Sequence, residues 1–354
     1  MFQAFALRLK TLAQAFALSL TFSAALTQAA EVIHIYSARH YPSDEQLYQG
    51  FTQKTGIEIK RVDADDAGIL ARLKAEGKNS PADVILLVDA SRLWRADQDG
   101  LFAPIRSQAL EQAIPAAMRA PATAAGETSW FGFSTRARVI AYNKQKYSAK
   151  DFADYKQLAD PRFKGQLCIR SGSHPYNLSW FGSMMEHEGV EATENWLKSV
   201  LANLARKPKG GDTDQIRAVA SGECGVAVTN SYYLARILGS GKPEDLSVQE
   251  LVGVAFPNQQ SWGTHVNIAG GAVARFAKNK EAAIRFLEYL ATPQAQAHFA
   301  NGNNEWPVVA NTVFDNRALK SMAPQGFKAD PMPVHRIGPN QVKVQLMLDR
   351  LGFN

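Results

Sequence analysis

The chain has 354 residues, 46% of them apolar and 20% charged, and a formal charge of +6. That length exceeds what one hydrophobic core usually holds, so two domains are expected. The basic excess is too mild, and lacks the dense run, that a nucleic-acid binder would show; it reads first as a surface habit, and second as an aid to a site that gathers anions or an anionic metal chelate.

Residues 1–30 read as a secretory signal peptide. Arg8 and Lys10 precede an acid-free apolar stretch, 12–26, and small residues follow at Thr27, Ala29 and Ala30. The stretch is short for a membrane anchor, and no Cys stands at the junction for a lipid. Cleavage after Ala29 or Ala30 would release the mature chain into the periplasm, and loss of Arg8 and Lys10 lowers the charge from +6 to +4.

From residue 31 strands and helices alternate. A strand at 32–36 is followed by Ser43 and Gln46 at capping-box spacing, then by an apolar stripe of Leu47, Tyr48 and Phe51 that Gly56 stops. A second strand alternates over 57–62, Ile69, Leu70 and Leu73 mark a helix ending near Gly77, and a fully buried strand at 83–88 leads into a helix at 91–99. Such an order implies a parallel sheet covered on both faces, with ligands bound beyond the carboxyl ends of its strands. After a loose Ala/Pro segment at 113–125, the strand-rich 130–143 marks a domain boundary. It opens a second α/β unit: a strand at 165–170, helices at 175–185, 191–204 and 213–220, and a strand at 224–229. A strand-like 264–273, a helix at 280–290 and a helix opened by Pro293 come next.

Four tyrosines stand where strands end. Tyr41 follows the first strand, Tyr176 follows 166–170, and Tyr232 and Tyr233 follow 225–229. A single tyrosine in such a place is usually a packing residue, but four phenols in one cleft form a hard-oxygen site suited to a trivalent cation such as ferric iron. His40 joins the candidates, with a solvated loop histidine as the competing possibility. Arg39, Arg136 and Arg236 flank these segments. Four phenolates around a 3+ ion leave −1, which an arginine balances directly or by holding a carbonate or water ligand; surface solvation competes for each, most strongly for Arg39. Cys168 and Cys224, the only cysteines, suggest a disulfide between neighbouring strands of an exported chain. Enzyme motifs are missing: Gly239-Ser240-Gly241-Lys242 lacks the other glycine and the Ser or Thr of a phosphate loop, and no nucleophile elbow supports an exported hydrolase.

Five segments together resemble the periplasmic ferric-iron-binding proteins of ABC importers, most closely their cyanobacterial-type FutA branch, over essentially all of residues 31–354. They are Ile35-Tyr36-Ser37-Ala38-Arg39-His40-Tyr41, Ser80-Pro81-Ala82-Asp83-Val84, Arg136-Ala137-Arg138-Val139, Cys168-Ile169-Arg170-Ser171 with Tyr176-Asn177, and Asn230-Ser231-Tyr232-Tyr233-Leu234-Ala235-Arg236. The resemblance implies an α/β, two-lobed type II periplasmic-binding fold, each lobe a mixed, mostly parallel sheet flanked by helices. One lobe would hold residues 31–131 and 262–310, the other 132–261 and 311–354. It further implies Fe(III) in the cleft on Tyr41, Tyr176, Tyr232 and Tyr233, with His40 a variable ligand, Arg136 and Arg236 behind them, and delivery by a monomer to an inner-membrane ABC permease. Fe(II) would bind if His40 contributed nitrogen and fewer phenols ionised. Other branches of the family add a Glu and a bound anion. No Glu is evident beside Tyr41, which leaves carbonate, another synergistic anion or water open for the remaining position. The alternative within this fold is an organic cation such as a polyamine or thiamine, which would need carboxylates where the rim offers tyrosines and arginines.

Overall fold

The computed structural model describes residues 31–39 and 41–353; the expected signal peptide and His40 lie outside the described residues. The strands are β1 (Val32–Ser37), β2 (Glu58–Asp63), β3 (Val84–Leu87), β4 (Phe131–Asn143), β5 (Leu167–Cys168), β6 (Val226–Asn230), β7 (Val252–Ala255), β8 (Val266–Val273) and β9 (Trp306–Pro307). Their order is β2-β1-β3-β8-β4-β6-β5, with β7 and β9 also on β4. β1 pairs in parallel with β2 and β3, and β5 with β6. β8 and β4 run against their neighbours, so the parallel order stops at β3 and the sheet is mixed. This is the type II periplasmic-binding fold.

Local signals set most helix ends. Gly56 adopts φ +74° and returns its N–H to the Thr52 carbonyl, closing the Asp44–Thr55 helix where only glycine is unstrained. The capping box expected at Ser43 does not form. Ser43 is itself helical in conformation, and its hydroxyl bonds Asn303 instead, tying this helix to the Pro293–Asn303 helix. A tertiary partner has outcompeted the local one.

β4 organises the rest. It is buried at every position, because it is covered in both halves of the molecule. Up to Ala137 it pairs with β8, and from Arg138 onward with β6 and β7. Ile33, Ile35, Phe51, Phe286 and Phe299 fill one core on the β1 side. Tyr155, Trp180, Trp196, Val344 and Met347 fill another beyond the crossing, so the final helix, Gln341–Leu351, packs in the second half. Val334 and Ile337, by contrast, pack with Leu93 and Trp130 in the first.

β5 is shorter than the sequence suggests, ending at Cys168. The structure bonds Cys168 to Cys224, just ahead of the paired strand β6, with Cα atoms 5.9 Å apart. Closing a 56-residue separation restricts the unfolded chain, worth about 4 kcal/mol in the entropic account. Urea unfolding is expected to lose roughly that much stability on reduction; equal midpoints with and without reductant would show that the bond contributes nothing.

Candidate metal centre

Strand-to-helix junctions place three of the phenols. Tyr232 and Tyr233 occupy the first turn of the Ser231–Leu238 helix, directly after β6, and Tyr176 the first turn of the Pro175–Glu188 helix. Pro175 suits that entry because its fixed φ is already helical, and His174 Nδ1 accepts from the Tyr176 N–H at 3.2 Å. Tyr41 lies in the loop after β1. Both helix starts carry partial positive charge, which favours anionic oxygen nearby.

These side chains converge. The Tyr176 and Tyr232 hydroxyls are 3.1 Å apart. The Tyr41 ring meets Tyr232 edge-on at 6.4 Å, and Tyr233 packs on Tyr232 at 4.1 Å. Tyr232, which touches the other three, is buried, whereas Tyr233 is half-buried. Burial, then the phenols of Tyr176 and Tyr41, push Tyr232 well above the usual tyrosine range. Burial and Glu305 push Tyr41 upward against the pull of Arg39, and burial pushes Tyr176 upward against Arg136. In the absence of a cation these three phenols keep their protons at neutral pH.

The arginines take separate places. Arg136, 1% exposed, stands 5.7 Å from the Tyr176 ring centre and donates to the Ile268 carbonyl at 2.8 Å and to Glu305 at 3.4 Å. Burial opposes its charge, but Tyr176 and Glu305 outweigh that and raise its pKa. Arg39, for which surface solvation competed with a place beside the site, is buried, with Asp44 at 2.8 Å and Glu305 at 3.0 Å. Arg236 is exposed, its guanidinium carbon 5.6 to 5.8 Å from the ring centres of Tyr41, Tyr232 and Tyr233.

Glu305 corrects the expectation that no glutamate stands near Tyr41. It is fully buried and accepts from Arg39, Arg136 and, at 2.8 Å, the Ser134 hydroxyl. Its separation from Arg39 is 266 residues, so no local spacing announces it. Three donors engage this carboxylate, which therefore orders the two arginines.

A second network, also invisible in the sequence, aligns the helices that carry Tyr176 and Tyr232. Arg138, on β4, donates to Asp212 at 2.7 Å, to Asn230 at 3.1 Å and to Asn177 at 2.6 Å. Asp212 also receives Arg170 at 3.2 Å and the Asn230 N–H at 2.7 Å. Asn177 sits one residue after Tyr176, and Asn230 immediately precedes the Tyr232 helix, its side chain turned to Arg138 rather than capping it. Among the described residues no group of three His, Cys, Asp or Glu is placed to hold a metal, so phenols are the available hard donors.

Residues 46–327 match the bacterial extracellular solute-binding protein family. The chain belongs to this family. Within it, this solute-binding protein is 43% identical to Iron uptake protein A1 of Synechocystis sp. over 322 residues, 91% of this chain and 87% of the relative. Its structure is similar to that of the Trichodesmium protein IdiA (FutA) in complex with iron and citrate ligands, with a TM-score of 0.86 and 46% identity across 91% of this chain and 100% of that one. It is also similar to the ferric iron-binding protein A of Mannheimia haemolytica in an open conformation, with a TM-score of 0.83 and 37% identity over 92% of this chain and 99% of the other. These relatives are binding proteins of transport, not enzymes.

Proposed function

We propose that this solute-binding protein captures ferric iron in the periplasm on the phenolates of Tyr41, Tyr176, Tyr232 and Tyr233 and hands it to an inner-membrane ABC permease. The observation that carries the reading is the convergence of four phenols, from three separate segments, on Tyr232. The relatives named for iron uptake and ferric binding support it. Phenolate is a hard anionic donor that matches a small trivalent ion, and Arg136 and Arg236 offset the −1 left by four such ligands. An organic cation fits poorly, since arginines rather than carboxylates surround the rings.

The lobes, residues 31–131 with 262–310 and residues 132–261 with 311–354 save the segment around Val334 and Ile337, which packs with the first, bend about β4 and the strand opposite it, β8. Tyr41 comes from one lobe and the remaining ligands from the other, so the ion binds the closed form more tightly and the permease reads closure. The open conformation of the Mannheimia relative fits such a pair of states.

Loading the purified protein with ferric iron is expected to produce a visible phenolate-to-iron charge-transfer band. A colourless ferric-loaded protein would remove the phenols from the site. Affinity is also expected to fall steeply with acidity. Tyr41, Tyr176 and Tyr232 have raised pKa values, so each is protonated in the free protein and must lose its proton to bind. Four phenols bound as phenolates release up to four protons, and the affinity drops by as much as about ten-thousandfold per pH unit as pH falls. Competition against a chelator of known proton linkage, from about pH 8 to 6, measures the slope; a flat profile would mean that the phenols stay protonated.

A further inference from the structure

Just after β3 stands Asp89, a fully buried carboxylate that the metal centre does not use. Four uncharged donors meet it. Its Oδ1 accepts from the Ser91 N–H at 2.8 Å and from the Ser91 hydroxyl, which caps the Ala90–Gln98 helix. Its Oδ2 accepts from Asn267, on β8, at 2.7 Å and from the Ser179 hydroxyl at 2.9 Å. Ser179 is also fully buried and lies one turn after Tyr176 in the Pro175–Glu188 helix. This bond therefore joins the half built on β1 and β3 to the helix that brings a phenol from the other half.

The Pro175–Glu188 helix faces both halves. Trp180, Phe181, Met184 and Met185 fill the core of the second, whereas Ser179, Ser183, Glu186 and His187 share the opposite, polar face. Ser183 and His187 bond Asp330 at 3.4 and 2.8 Å, and Glu186 accepts from Asn340 at 2.6 Å. Asp330 and Asn340 bound a segment that packs Val334 and Ile337 in the first half but runs straight into the Gln341–Leu351 helix of the second, so these partners can travel with the Pro175–Glu188 helix. Asp89 cannot, because Ala90 and Leu93, in the helix it caps, are packed in the core of the first half. When the halves separate, the bond between Ser179 and Asp89 is the one that must break.

We propose that Ser179 and Asp89 form a latch between the lobes, made in the closed form and broken in the open one, which retains captured iron without touching the ion. A hydrogen bond to a buried carboxylate is stronger than one between neutral groups, and inside the closed form no water replaces a lost donor. Ser179 is thus a positioning residue that acts through closure. The inference rests on the two-lobed ferric reading above.

Release of ferric iron to excess chelator, followed by the charge-transfer band, is the test. Ser179→Ala should release the ion about tenfold faster and show the band of the parent. It should also load at the parent's rate, because the bond is absent from the open form that takes up the ion. Asp89→Asn, which turns an acceptor near Ser179 into a donor, should behave alike and decides the matter if Ser179→Ala does not fold. Release at the parent's rate overturns the latch, and so does a shifted band, which would place the effect on the phenols instead of on closure. Without metal, spin labels at Gln49→Cys and Lys198→Cys, exposed positions on helices of the first and second halves, report the open fraction; both native cysteines are in the disulfide and take no label. Ser179→Ala should be the more open protein. A parent without a ferric band overturns the iron reading alone, and the label distances then decide the latch, equal distances in parent and variant overturning it.

Discussion

Replacing Tyr232 by phenylalanine is expected to abolish the charge-transfer band or shift it markedly, and to weaken ferric binding by more than about 100-fold, the upper end of what loss of a mere outer-shell partner costs. Tyr232 is the hub of the cluster, with its hydroxyl 3.1 Å from that of Tyr176 and its ring against Tyr41 and Tyr233. Phenylalanine keeps the ring and those packing contacts. The free protein loses only one neutral hydrogen bond, about 1 kcal/mol, so its melting temperature should barely move. A binding isotherm and spectrum equal to those of the parent would remove Tyr232 from the ligand set. Unfolding of the variant would instead point to a structural role for the hydroxyl, which thermal melts separate from a binding defect.

Asp212→Ala is expected to cost about 3–5 kcal/mol of stability, because it leaves buried cations without a counter-charge. Asp212 and Arg138 are almost wholly buried, and Arg170 shares the same carboxylate. The damage should reach the site, since Asp212 also holds the Asn230 N–H at the start of the Tyr232 helix, while Arg138 holds Asn177 beside Tyr176. Ferric loading of whatever folded protein remains should then show a weaker or shifted band. Asp212→Asn retains an acceptor of the same shape and should fall between the two. An unfolding free energy in urea for Asp212→Ala within about 0.5 kcal/mol of the parent, the range of ordinary surface substitutions, together with an unchanged ferric band, would show that this network supports neither the fold nor the phenols.

Most elements were readable because their causes are local. The helix closed by Gly56, the helix opened by Pro293 and the continuous apolar runs of β3 and β6 need only spacing and a terminal residue to be seen. The capping box at Ser43 failed for the complementary reason: Asn303, distant in sequence, offers the hydroxyl a partner that no window around Ser43 contains. The surface place that competed for Arg39 looked open for the same reason, since its counter-charge Glu305 lies 266 residues away.

For the site, the chain alone determined which residue types were on offer and at which strand ends. Tyr41, Tyr176, Tyr232 and Tyr233 could be picked out because a strand followed by a polar turn at the carboxyl edge is a local pattern, and phenol chemistry is a property of the side chain. Their convergence was decided only by tertiary structure, because β4 passes through both halves and brings separate junctions to one edge. The same is true of their protonation and of their arginine and glutamate neighbours. Burial and charge act through space at a few ångströms, and the groups that supply them, Glu305 and Asp212 above all, leave no mark in the sequence around the tyrosines.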